Sequence, residues 1–201
     1  MSSTNLGRCR VFRNYESRQY EYDATIIEAV RATCSMPPLF TPVHIGFDHQ
    51  QEELVTAMLG YSNPIKEVIK ELLNTYGPSR KVQLILSIGA GKRVPLSIKG
   101  KGISLEDKAA QEAESLAEEL REQFRKTGVY FRFSVDRGIE ILEQARDQHT
   151  STIYSNTSAY LSQKEVDKSL DRAIRASSMS SLVTLEKLGK FRNQILYGDL
   201  V

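Results

Sequence analysis

The chain has 201 residues, 40% hydrophobic and 26% charged, proportions of a globular domain that exclude wholesale disorder. Its 27 basic and 25 acidic residues leave a formal charge of +2, too small and too evenly scattered for general attraction to nucleic acid or an anionic membrane. A single domain of this length buries about 70% of the surface its unfolded chain exposes, so a core of ordinary size is expected.

The N-terminal stretch MSSTNLGRCRVFRN has no apolar centre and does not read as a signal peptide. Cys9 and Cys34 lie far apart and form no CxxC pair, which points to two thiols in a reducing compartment rather than a disulfide framework. Residues 8–15 read as a first strand. Thr25 and Glu28 then make a T-x-x-E capping box over a short helix carrying Ile26, Ile27, Val30 and Arg31, stopped by Pro37 and Pro38. LFTPVHIGF reads as extended, with residues 54–59 as its continuation or partner strand.

The strongest local signal follows. Asn63 is placed as an N-cap and Pro64 as the first helical residue of a helix presenting Ile65, Val68, Ile69, Leu72, Leu73 and Tyr76 on one face, ended by Gly77 and Pro78. Residues 81–88 are apolar almost without interruption and predict a parallel strand covered on both faces. The glycine- and lysine-rich residues 92–104 read as a loop, with Ser104 and Asp107 resembling a cap. Ala109, Ala113, Leu116, Ala117, Leu120 and Phe124 mark an amphipathic helix closed by Gly128. Val129, Phe131, Phe133 and Val135 alternate with Tyr130, Arg132 and Ser134, predicting a strand whose apolar face is the buried one. A Ser162 to Glu165 capping box opens the last predicted helix, with Val166, Leu170, Ala173 and Ile174, which the serines at 177–181 interrupt.

No repeat or linker divides the sequence, which reads as one domain or part of one. No apolar run reaches the length of a membrane span, VQLILSIGAG being the longest, so the expectation is a soluble cytoplasmic protein without a transmembrane segment.

Four constellations bear on chemistry. SIGAGKR, 87–93, ends a strand with Gly-x-Gly-Lys, but Leu86 stands where a phosphate loop needs its first glycine and Arg93 where it needs a magnesium-binding hydroxyl. His44 and His49 flank Asp48 in a stretch that looks extended or looped, where their spacing does not converge on a metal. No serine has glycine on both sides in the GxSxG spacing: Ser62 has Gly60 before it but Pro64 after, and Ser87 has Gly89 after it but Ile85 before. Thr56, Ser62 and Asn63 are the polar residues of LVTAMLGYSNPIKEV, and none is a strong acid or base.

The run IIEAVRATCSMPPLFTPVHIG, 26–46, resembles the Arg-Ala-Thr-Ser-Ala-Ala-Pro segment of patatin-like phospholipases, particularly the fungal members. That family continues with Asp-Gly-Gly or Asp-Gly-Ala, then Gly-x-Asn-Asn-Pro, a helix, and a strand ending Ser-Ile-Gly-Thr-Gly. Here VTAMLGYSNPI, the helix to Tyr76 and LILSIGAGK stand in that order at similar spacing, and FRNY, YFRFSV and TSAYL resemble other family segments.

The resemblance implies a three-layer α/β fold with a mostly parallel central sheet flanked by helices, a Ser/Asp dyad acting on a lipid or acyl ester, and no cofactor. The family motif positions are Arg31, Ala32, Thr33, Thr56, Gly60, Asn63 and Pro64. Thr56 stands at the dyad aspartate and Ala57 at the glycine after it, and a neutral hydroxyl cannot take the serine proton, a loss of roughly 100- to 10,000-fold. The oxyanion loop and nucleophile elbow precede the Arg-Ala-Thr segment in the family, so residues 1–201 resemble the C-terminal part of the domain. The expectation is therefore a patatin-like acyl hydrolase relative without activity of its own, the alternatives being a binding or regulatory module and a truncated gene product. With sheet edges uncovered, association with itself or with the nucleophile-bearing portion is also expected.

Overall fold

A computed structural model describes residues 1–5, 7–16, 24–47, 49, 51–91, 105–136, 149–178 and 182–189. The predicted loop at 92–104, its cap residue Ser104, and Asp48 lie outside them. The chain falls into two compact units, residues 1–62 with 104–112, and residues 63–103 with 113–201.

In the first unit, α1 (Ile26–Cys34) starts at the predicted box: Glu28 N–H donates to the Thr25 hydroxyl, and the Glu28 carboxylate takes the Thr25 amide at 2.8 Å. β1 (Val43–Ile45) and β2 (Glu52–Leu54) pair antiparallel, with Val43 opposite Leu54 and His44 opposite Glu53. The period of two turns Val43 and Ile45 inward with Leu54, where they meet Ala32, Phe12 and Ala24. Of the apolar residues of α1, Ala32 belongs to this core, but Ile26 is 84% exposed and Ile27 and Val30 are also exposed.

Two expectations here need correction. Residues 8–15 form no strand; the segment is held instead by side chains, Arg10 reaching Glu52 (2.7 Å) and Phe12 packing on the small core. The strand expected at 54–59 ends at Leu54, because residues 58–61 coil into the short α2 (Met58–Tyr61), broken at Gly60 with φ 79°. A glycine tolerates that left-handed angle, which a strand cannot accommodate.

Burial pushes the Glu52 carboxyl up, but hydrogen bonds from Arg10 and Ser2 and the charge of Arg10 outweigh it and hold the group below its ordinary value of 4.5. A carboxylate depressed in the folded state stabilises above its unfolded pKa, and that contribution disappears as pH falls through the folded value. Stability should therefore decline below pH of about 4.5, and Glu52→Gln should flatten part of that decline in urea midpoints measured across the acid range.

In the second unit, α3 (Ile65–Tyr76) is ended as predicted by Gly77, at φ 77°, whose amide donates to the Leu73 carbonyl. Its start differs from the prediction. Pro64 occupies the cap position, and Asn63 turns inward, its Nδ2 donating to the Ala113 carbonyl at 3.3 Å instead of capping. The expected strand at 81–88 is two: β3 (Lys81–Val82) and β4 (Ile85–Ile88). After α4 (Leu105–Phe124), whose residues from 113 onward belong to this unit, β5 (Tyr130–Phe133) pairs with β4 in parallel, with Ser87 opposite Arg132 and Ile88 opposite Phe133. This β4–α4–β5 crossover fixes the α/β character. The described strands form three two-stranded sheets, of which this one is parallel.

The unit continues through α5 (His149–Leu161), α6 (Lys164–Ser178), β6 (Val183–Thr184) and α7 (Leu185–Gly189), with β3 and β6 antiparallel. Ser162 forms no capping box with Glu165; it donates to the Ser158 carbonyl, and Glu165 pairs with Lys168. α6 is not the last helix either. α7 brings Leu185 and Leu188 into a core with Ile65, Ile69, Leu120 and Phe124, sealed by Val129 and Tyr130.

The predicted burial is met in part: on the apolar face of β5, Val129 and Phe131 are buried and Phe133 and Val135 half-buried, while Tyr130 and Ser134 of the other face are buried as well. Arg132, on the nominally polar face, is buried under α4, where two of its N–H groups reach one Glu114 oxygen (2.8 and 3.2 Å) and a third donates to the Ser87 hydroxyl at 2.9 Å. Satisfied in this way, the polar side of the pair can also lie inside. Leu86 and Ile88, expected to be covered, are 49% and 77% exposed on the opposite face.

Candidate ligand cavity

The apolar face of β4 and β5 on which Leu86 and Ile88 are exposed is the floor of a cavity of about 520 Å³, within the range of roughly 300–1,000 Å³ typical of small-molecule sites. Strand alternation supplies its floor, with Leu86 and Ile88 from β4 and Phe133 and Val135 from and just beyond β5. One helical face of α5 supplies a wall through Ile153, Thr157, Tyr160 and Leu161, at spacings of four, three and one residues that bring them together, and α6 adds Leu170. Among the described residues, no Asp, Glu, Lys, Arg or His lines it, and its polar lining side chains are Ser134, Asn156, Thr157 and Tyr160. The Tyr160 hydroxyl is fixed at the edge of the strand, its oxygen accepting the Ser134 amide at 3.2 Å.

Gly89 is required where β4 runs out. A β-carbon there would lie 2.5 Å from the Ser134 hydroxyl oxygen and 2.8 Å from an Arg132 nitrogen, closer than atoms pack. The glycine of SIGAGKR thus serves close approach of two strand ends, while Lys92 and Arg93 lie outside the described residues.

The family motif positions are divided between the units. In the first, Ala32 is buried, Arg31 and Thr33 are exposed, and Thr33 returns its hydroxyl to the Ala29 carbonyl. Buried Ser35 ties this segment to the next motif: its hydroxyl contacts the Ala32 and Leu54 carbonyls, and its own carbonyl takes the Thr56 amide at 2.9 Å. The Gly60 amide is held by Glu112 at 2.8 Å. Asn63 and Pro64 belong to the second unit.

The serines tested from sequence are occupied structurally. Ser62 donates to the Met58 carbonyl and Ser87 accepts from Arg132. His44 is exposed and faces Glu53 at 3.4 Å, and among the described residues no three His, Cys, Asp or Glu side chains are grouped to hold a metal. Among them too, no helix is long and apolar enough to cross a membrane.

The cavity is not foreseen in the sequence analysis, which assigns no apolar face to residues 149–161. The signal was present: Ile153, Asn156, Tyr160 and Leu161 recur at helical spacing across STIYSNTSAYL. The second unit is thus an α/β body with an open apolar cavity over a parallel strand pair. No protein-family profile, curated protein or solved structure matches the chain.

Proposed function

We propose that the chain is a non-catalytic relative of the patatin-like acyl hydrolases that holds an acyl chain in the cavity above β4 and β5. The observation that carries the reading is a mostly apolar cavity of about 520 Å³, with no charged side chain among the described residues that line it. Burial of a hydrocarbon chain against Leu86, Ile88, Phe133 and Val135 supplies affinity at about 25 cal/mol per Å² removed from water, less the loss of ligand freedom.

The absence of hydrolysis rests on the motif positions. Thr56 stands where the family dyad has its carboxylate, and a hydroxyl there cannot serve as general base. The strand end in SIGAGKR, part of the resemblance, also borders the cavity through Gly89 and Ala90, which supports joining the two readings.

Methyl dodecanoate should displace a polarity-sensitive dye from the full chain, and Thr157→Trp, which fills the wall of α5, should weaken that displacement by about tenfold or more, as loss of well-packed apolar area does. A p-nitrophenyl ester should be hydrolysed no faster than in buffer. Displacement unaffected by Thr157→Trp would remove the cavity from the proposal, and turnover abolished by Thr56→Ala would overturn the non-catalytic part.

A further inference from the structure

We infer that Ser178, at the end of α6, is a phosphorylation site for a protein kinase that selects arginine three residues before its acceptor serine, and that the phosphate loosens the final turn of the helix. The inference is independent of the acyl-binding reading.

The serine cluster at 177–181 follows two arginines. Arg172, Arg175 and Ser178 recur at intervals of three along α6, and residues so spaced are neighbours on a helix surface. All three are exposed, so nothing packed has to move for a kinase to reach them. Arg175-Ala176-Ser177-Ser178 is also the one place in the sequence where serine or threonine stands third after an arginine. A kinase groove lined with carboxylates reads such an arginine by charge and by paired hydrogen bonds. Ser177 is equally exposed but has arginine at the second and fifth positions before it, so the spacing singles out Ser178.

The position also suits the reaction. A kinase works on an extended strand of substrate, and the terminal turn of a helix opens more readily than its body. The Ser178 oxygen attacks the terminal phosphorus of a nucleoside triphosphate. The new O–P bond forms as the bond to the leaving diphosphate breaks, and the hydroxyl proton passes to the kinase's carboxylate base.

The phosphate changes the helix end in a defined direction. The Ser178 hydroxyl donates to the Ile174 carbonyl at 3.2 Å, beside the Ser177 hydroxyl, which does the same at 2.7 Å. Esterification removes the first of these donors. It also places close to two negative charges where the helix dipole is already negative. Arg175 lies one turn back and compensates only weakly, because an exposed ion pair contributes little. Loosening therefore wins. It reaches beyond α6, since Gln83 Nε2 holds the Ser177 carbonyl at 2.7 Å and so ties this turn to the segment between β3 and β4.

The test is incubation of the full chain with a calcium/calmodulin-dependent protein kinase and magnesium ATP, with the phosphate located by tandem mass spectrometry. Phosphate is expected on Ser178 and absent from Ser178→Ala. Arg175→Ala should slow its transfer about tenfold or more, the effect of one charge-assisted contact, while Arg172→Ala should change it by no more than about twofold. In the phosphorylated chain, amides of residues 175–178 should exchange about three- to tenfold faster, the size of one lost hydrogen bond, with α3 unchanged.

No transfer to the chain, transfer to another serine, or transfer to Ser178 that ignores Arg175→Ala overturns the site. Exchange at 175–178 unaltered by the phosphate overturns the loosening.

Discussion

Replacing Phe124 by alanine is expected to destabilise the second unit by about 3–5 kcal/mol, the usual range for emptying a packed aromatic site. Phe124 is 2% exposed, at the end of α4, and sits with Leu120, Leu185 and Leu188 around the start of β5. Its ring lies 6.0 Å from that of Tyr130 at an interplanar angle of 56°, a tilted contact that adds to the area buried. Because the residue joins α4, β5 and α7, hydrogen exchange should show lost protection in all three while β1 and β2 keep theirs. A urea midpoint unchanged by the substitution would mean that this cluster is not the core of the unit.

The second large effect is electrostatic. Arg132→Met should cost about 3–5 kcal/mol, since it takes the guanidinium away from the partly buried Glu114 carboxylate. The arginine side chain is only 6% exposed and Glu114 24%, so solvent cannot replace the lost contacts fully. Removing both charges, as Arg132→Met with Glu114→Leu, should recover at least half of the loss, because a matched apolar pair avoids the desolvation of both ions. Urea titration of the single and double variants forms the test. A single variant within about 0.5 kcal/mol of the natural chain, as for ordinary surface changes, would show that the pair does not organise the sheet.

These two residues also show what the sequence could and could not reveal. Phe124 was legible because Leu120 and Phe124 continue the spacing of Ala109, Ala113 and Ala117 along one stripe of α4, and helical period translates directly into burial. The Thr25 box and the Gly77 stop were legible for a similar reason, as both are local hydrogen-bonding solutions written in adjacent residues. Arg132 was not. Alternation shows that two faces exist, but which of them turns inward depends on Glu114 and Ser87, which lie 18 and 45 residues away in sequence. Asn63 was misread on the same account, since its partner is the carbonyl of Ala113 rather than the helix it precedes. Of the cavity, the strand residues were recognised as apolar but placed under cover, and the α5 wall, with Tyr160, was not recognised as a face.

The ion pair beneath α4 also governs how the two strands can be aligned. Sliding β5 by a single residue would swing Arg132 out over bare hydrocarbon and carry Phe133 into the space beside Glu114, so both neighbours would be mismatched at once. A short two-stranded ladder has few bonds with which to resist such slippage. Here one guanidinium supplies the resistance, acting as a pawl that lets the hydrophobic side stay open to a guest without the strands losing their phase.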